Sequence, residues 1–273
     1  MLSKLLKDSE SIVQGTKMKQ DNLLQKTQRL LRRARDISRK KGIYYACWAG
    51  SKRFLTQLKN TSEYCYYKTF KSSAFFTFQK ERYKYFYHKH NPTWRNERAV
   101  EIPIVWRTVR KYEGKNVLEV GNVLSNYFPV KHDVIDKYEK AENVITQDAA
   151  DFHPAKKYDL IVSISTLEHV GWDENPSDHK ILNKPDKVLR AIENLKGLLA
   201  LEGTLVMTLP LGYNPCLDKL LKSDQIKFGR RFCLKRVSKD NKWIEVGWED
   251  VKNAKYNSPF PAANGLLIGI IEP

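Results

Sequence analysis

The sequence predicts an α/β domain on a largely parallel sheet, preceded by a basic, mainly helical extension. Three observations carry this expectation. From residue 101 onward, short apolar runs alternate with polar, helix-like stretches. Residues 1–100 hold 23 Lys and Arg against 7 Asp and Glu, whereas residues 101–273 hold 25 against 24, so the net charge of +17 resides almost wholly in the first hundred residues. Aromatic residues are skewed likewise: of 31 Phe, Trp and Tyr, 15 fall between Tyr44 and Tyr87. A neutral globular domain with a basic extension is the organisation expected of a protein that meets an anionic partner.

Composition narrows the class further. Hydrophobic residues make up 41% and charged residues 29%, enough for both a core and solubility. No run approaches the roughly 18 consecutive apolar residues of a membrane-spanning helix. The N-terminal stretch MLSKLLKDSESIVQGTKMKQ lacks the apolar segment and small-residue cleavage site of a secretory signal. Cys47, Cys65, Cys216 and Cys233 contain no CxxC pair, which suits a reducing cytoplasm and argues against a disulfide framework or structural zinc.

In the extension, taken as residues 1–96, Leu23, Leu24, Leu30, Leu31, Ala34 and Ile37 recur at helical spacing among arginines, and Gly42 ends that helix. A second amphipathic stretch carries Tyr44, Cys47, Trp48, Phe54, Leu55 and Leu58. Residues 62–90, dense in Tyr, Phe and Lys, read as helix or strand. Lys and Arg opposite Leu, Trp and Phe suit a face packed on a core, a helix on an anionic membrane surface, or a stacking groove for single-stranded nucleic acid. No base-reading motif supports the last, so nucleic acid ranks below membrane.

In the domain, taken as residues 97–273, Pro103 is expected to open a helix reaching Tyr112. The strand-like runs are 116–120, 132–137, 143–148, 158–165, 204–211 and 265–271, with an amphipathic helix at 184–200 before the turn Leu201-Glu202-Gly203. The first run, in VLEVGNVLS, ends in Glu119 and Gly121, where an open α/β sheet binds its ligand and glycine permits close approach. The second ends in Asp136, placed to accept ribose hydroxyls. The third ends in Gln147-Asp148-Ala149. The fourth, YDLIVSISTLEHVGW, leaves Ser163, Ser165, Glu168 and His169 near the same edge.

These ordered motifs resemble those of the class I S-adenosylmethionine-dependent methyltransferases over about residues 97–273. The resemblance implies a Rossmann-like, seven-stranded, mostly parallel sheet with helices on both faces and one antiparallel strand near its end. It implies S-adenosylmethionine as cofactor, Glu119 and Gly121 by the methionine moiety, Asp136 on the ribose, and Asp148 beside the adenine amino group. Asn122 and Ala149 join the cofactor contacts, with Ser163 and Ser165 beside the reacting centre. The family's usual Gly-x-Gly-x-Gly is here Gly121-Asn122-Val123-Leu124-Ser125, which keeps only the first glycine. The Leu-Glu-His-Val ending is found in many small-molecule and sugar methyltransferases of this family.

Methyl transfer from an activated sulfonium requires in-line alignment and, for a hydroxyl acceptor, removal of a proton. His169 is the expected base, with Glu168 and Asp173 as companions; Glu174, His179, Tyr213 and Asn214 lie in loops where an acceptor would bind. No carboxylate trio reads as a metal site. The expected activity is O-methylation of a sugar or glycan, in the cytoplasm or peripherally on a membrane. The alternatives are an RNA-binding or RNA-modifying protein and a non-catalytic membrane-associated scaffold.

Overall fold

The computed structural model describes residues 32, 35, 38–40, 42–172 and 184–272. The chain divides into two compact units, Met1–Ser62 and Glu63–Pro273. Most of the first expected helix lies outside the described residues, but Arg32, Arg35 and Ser38–Lys40 are helical. Gly42 sits at φ +83 and donates its N–H to Ser38 O at 2.9 Å, the left-handed cap expected of a terminating glycine. Helix α1 (Ile43–Phe70) follows directly and takes in the second amphipathic stretch; Tyr44, Trp48, Phe54, Leu55 and Leu58 on it are exposed.

The ambiguous stretch 62–90 is both helix and strand. α1 ends at Phe70, and β1 (Phe75–Phe78) and β2 (Glu81–Lys84) form an antiparallel hairpin. Gln79 and Lys80 between them both adopt positive φ, as a two-residue turn matched to strand twist requires. Phe76, Phe78, Tyr87 and Trp94 are buried, Phe76 and Phe78 in the same core as the sheet residues Val162 and Ile268. Phe76 and Phe78, in the stretch expected as extension, thus belong to the core of the α/β unit, and the compact units divide at Ser62/Glu63.

Helix α2 (Arg98–Lys111) begins five residues before the expected start at Pro103, which lies inside it. A proline leaves the carbonyl four residues earlier without its helical donor. Here that carbonyl, Ala99 O, accepts the Phe86 N–H at 2.9 Å, so the segment after the hairpin offsets the lost bond.

The central sheet has eight strands: β3 (Val117–Val120), β4 (Asp133–Asp136), β5 (Ile145–Thr146), β6 (Tyr158–Ile164), β7 (Leu199–Pro210), β8 (Arg230–Arg236), β9 (Trp243–Val246) and β10 (Gly265–Ile271). Their order is β5-β4-β3-β6-β7-β10-β8-β9. β3 to β7 are mutually parallel; β10 is antiparallel to both β7 and β8, and β9 to β8. Six strands therefore run one way and two the other. The expected seven strands with one antiparallel are corrected to eight with two, because the β8–β9 pair adds an edge strand. β8 reads RRFCLKR, and only its inward positions Cys233, Leu234 and Arg236 are buried, so it showed no apolar run. The turn Leu201-Glu202-Gly203 is absorbed into β7 as an irregularity, with pairing passing from Tyr158↔Leu199 to Leu160↔Thr204.

Alternation along the strands divides the core into two layers. Leu118, Ile161, Leu205 and Leu267 pack with α3 (Pro185–Gly197) and α4 (Pro215–Lys222). Val117, Leu160, Val162, Val206, Leu266 and Ile268 pack with α2 and the hairpin. Strand order reverses between β3 and β6, and the carboxyl ends of β3, β4 and β6 meet there, where a Rossmann-like sheet opens its ligand crevice.

Candidate functional site

A cavity of about 310 Å³ opens at this reversal point. Its wall is formed by Gly121–Val123 after β3, Asp136–Tyr138 after β4, Gln147–Ala149 after β5, and Thr166, His169 and Val170 after β6. Val120 and Ile135 supply apolar floor at the strand ends.

Gly121 is required by its geometry. It adopts φ +83, and a Cβ there would lie 2.3 Å from Thr166 Oγ1 and 2.7 Å from Thr166 Cγ2. Its N–H donates to Ile135 O at 2.8 Å, tying the β3 turn to β4. Glu119 holds the rest of the turn from beneath. It is fully buried, and its Oε1 accepts the N–H groups of Val123 at 2.8 Å and Leu124 at 2.7 Å. Its Oε2 lies 2.9 Å from His132 Nε2. The carboxylate thus shapes the loop and does not line the cavity; it does for this turn what further glycines would otherwise leave to backbone flexibility.

Asp136 Oδ1 accepts the N–H groups of Tyr138 and Glu139, each at 2.8 Å, while Oδ2 accepts from no described group. Asp148 is occupied by ion pairs. Its Oδ2 lies 2.7 Å from Lys187 Nζ and 3.0 Å from Lys137 Nζ, and its Oδ1 accepts the Ala150 N–H at 3.1 Å. Burial pushes this carboxyl upward, but the hydrogen bond from Lys187, the Ala150 amide and Lys137 together outweigh that and hold it down at about 2. Ala149 is buried on the cavity wall, and its backbone N–H donates to no described residue. Asn122 lines the mouth, with its Nδ2 donating to Glu139 Oε1 at 2.9 Å.

His169 reaches the cavity with a side chain 44% exposed, and Tyr213 Oη lies 3.3 Å from its Nδ1. Glu168, next in the same turn, is buried away from the cavity wall, with Oε1 3.8 Å from His169 Nε2 and Oε2 without a hydrogen-bond partner among the described residues. Burial raises its carboxyl well above the ordinary range, and the neighbouring Arg98 only partly offsets this. Ser163 is buried inside β6, its hydroxyl without a hydrogen-bond partner among the described residues. Ser165, at φ +40, donates its Oγ to Glu101 and its N–H to Thr208 Oγ1 at 3.1 Å.

The structure therefore brings Gly121, Asn122, Asp136, Asp148, Ala149 and His169 together on one cavity, and leaves Glu119, Ser163, Ser165 and Glu168 behind its wall. Asp173, Glu174 and His179 lie outside the described residues. Sequence reasoning missed Thr166, Lys137 and Lys187, and it missed a buried network beneath the site. In that network Arg98 donates to Ile164 O at 3.0 Å and pairs with Glu101 at 3.1 Å, and Thr208 Oγ1 donates to Glu101 at 2.7 Å. The sequence signal for it was a charged pair, Arg98 and Glu101, three residues apart at the start of an otherwise apolar helix face.

No protein-family model and no curated protein sequence matches the chain. Among solved structures it is similar to the N-methyltransferase NodS from Bradyrhizobium japonicum in complex with S-adenosyl-L-homocysteine, at 15% identity over 61% of this chain and 84% of that one, with a TM-score of 0.37. It is also similar to an rRNA methylase from Streptococcus thermophilus, at 12% identity over 63% and 96%, TM-score 0.36. A third is the sugar N-methyltransferase KedS8 from Streptoalloteichus, at 13% identity over 64% and 88%, TM-score 0.33. At such identities and TM-scores these likenesses carry no functional weight, which rests on the geometry of the site.

Proposed function

We propose that the chain is an S-adenosylmethionine-dependent methyltransferase acting on a hydroxyl of a sugar or glycan. The observation that carries this reading is the cavity at the strand reversal. There Gly121, packed at φ +83 against Thr166, lines the same cavity as Asp136 and Ala149, whose Oδ2 and N–H have no partner among the described residues. Acceptor, donor and close backbone approach in one apolar-floored cleft are what a nucleoside-bearing cofactor requires. When bound, S-adenosylmethionine supplies a methyl group activated on a sulfonium.

The chain's own residues would do the rest. Asp136 accepts the ribose hydroxyls, and Ala149 N–H faces the adenine ring. Gly121 and Asn122 border the methionine moiety on a turn held by Glu119. Asp148 is held by ion pairs with Lys137 and Lys187 on Oδ2, and from the cavity wall it borders the adenine end. His169 takes the acceptor's proton, oriented by Tyr213, with Glu168 beside it; Asp173 follows in the same loop of the sequence. For this reading we place the exposed apolar and basic side chains of α1 against an anionic membrane surface, where Leu and Trp insert and Lys and Arg meet headgroups. A cytoplasmic, membrane-peripheral enzyme is the corresponding location.

Calorimetry with S-adenosylhomocysteine tests the cofactor assignment. A hydrogen bond to a charged group contributes roughly 1.5–3 kcal/mol, so Asp136→Asn, which retains the Oδ1 turn, should weaken binding by about 10- to 150-fold. Unchanged affinity in a folded variant would remove Asp136 from the site, and no binding by the wild type would remove the cofactor.

A further inference from the structure

We infer that a second site, a basic and aromatic double groove beside α2, binds single-stranded polynucleotide. Two concavities of about 530 and 550 Å³ adjoin there, sharing Trp106 and Arg110 as their common wall. Lys84, Arg107 and Lys111 line the first; Lys115, Lys131 and His132 line the second. Arg107 is paired with Glu81 at 2.7 Å, but Lys84, Arg110, Lys111, Lys115 and Lys131 have no ion pair among the described residues and are exposed. Glu113 is the sole carboxylate among the residues lining either groove.

Five exposed cations with no ion pair among the described residues, gathered on two joined grooves with one carboxylate, repel one another and attract a polyanion. The aromatic component favours a nucleic acid. Trp106 lies flat on Phe128, with ring centroids 4.1 Å apart and planes 6° from parallel, and Tyr85 and Phe86 complete the wall. Backbone-tracking charge beside aromatic faces is the arrangement by which single strands are held without sequence preference. The concave shape disfavours a flat lipid surface, which could meet the rim lysines but not Trp106 at the shared wall. Extent argues against a mononucleotide, since one or two phosphates would leave most of these cations unpaired. The second groove meets the amino ends of β3 and β4 at Val117 and His132, whereas the cavity at the strand reversal opens at their carboxyl ends, so the groove is a separate site. Ribose hydroxyls are sugar hydroxyls, so the groove is compatible with the function proposed above, but it does not depend on it.

The test uses the full chain, fluorescence anisotropy with a labelled oligouridylate, and phosphatidylserine-containing vesicles as the competing anionic surface. Each phosphate contact to a single strand adds about 0.7 to the slope of log affinity against log salt. Arg110→Ser combined with Lys131→Ser should therefore lower that slope by about 1.4. Trp106→Leu should weaken binding by roughly 5- to 150-fold, the range expected for one lost stacked base. Arg110 and Lys131 are exposed, so the paired variant will fold; thermal melting checks this and the Trp106 variant. The inference is overturned if both variants keep the wild-type affinity and slope, which would assign the binding to the basic N-terminal residues. Tighter binding to vesicles than to oligouridylate would overturn it too. Binding of S-adenosylhomocysteine to the same variants should not change, which separates failure of the groove from failure of the cofactor assignment.

Discussion

Gly121→Ala isolates the feature on which the cavity at the strand reversal depends. At φ +83 an alanine carries a strain of roughly 1–2 kcal/mol that glycine does not. Its Cβ would also lie 2.3 Å from Thr166 Oγ1, 2.7 Å from Cγ2 and 3.0 Å from Cβ. Thr166 cannot easily swing aside, because its hydroxyl donates to Ile164 O at 3.1 Å and its backbone continues into the His169 turn. Overpacking of this kind costs about 1–3 kcal/mol, so the substitution should destabilise the fold by roughly 2–5 kcal/mol. Thermal and urea unfolding of Gly121→Ala, Thr166→Ala and the double variant form a cycle that separates the two contributions. Removing Oγ1 and Cγ2 should recover much of the overlap and none of the backbone strain, giving a favourable coupling of about 1–3 kcal/mol. Zero coupling would mean that the β3 turn and the β6 turn are not in contact, and the cavity as described would be wrong.

Two further outcomes follow from the site. The Asp148 carboxyl is held down at about 2 by its lysines, so its contribution to stability is present above the unfolded carboxyl range, near pH 4, and is lost as pH falls toward about 2. Acid unfolding of Asp148→Asn should lack that component: the variant is less stable than wild type at neutral pH, and the difference narrows between about pH 4 and 2. A constant difference across that range would show that the ion pairs do not form. With an identified acceptor, His169→Ala should lower turnover by about 10²–10⁴-fold with little change in cofactor affinity; near-normal turnover would eliminate His169 as the base.

How much of this was legible in the sequence differs by element. The runs forming β3, β4, β6 and β10 were read directly, because strands buried on both faces need near-continuous apolar residues. Gly121, Asp136, Ala149 and His169, expected as site residues, line one cavity for a related reason. They stand at the ends of those strands, and chain order alone places such ends on one edge of a parallel sheet. The cap at Gly42 and the helix of 185–197 were equally local, set by spacing and by one glycine.

Other features depended on contacts between residues far apart in the chain. β8 carries too many charges to read as a strand and β9, Trp-Ile-Glu-Val, is too short to stand out; β8 is made a strand by pairing with β10, and β9 by pairing with β8. Pro103 is tolerated inside α2 because Phe86, seventeen positions earlier, supplies the donor that Ala99 O would lack. The aromatic hairpin enters the core through contacts of Phe76 and Phe78 with distant sheet residues, which charge and composition do not reveal. Glu119, Asp148, Ser165 and Glu168 were chosen for their chemistry and their place at a strand end. Whether a carboxylate faces a cavity, a loop amide or a lysine is decided by partners such as His132, Lys187 and Glu101, which sequence order does not bring near. Local patterning thus determined the parallel core and the edge where the cavity opens, while only the tertiary structure decided which polar groups at that edge have no partner among the described residues.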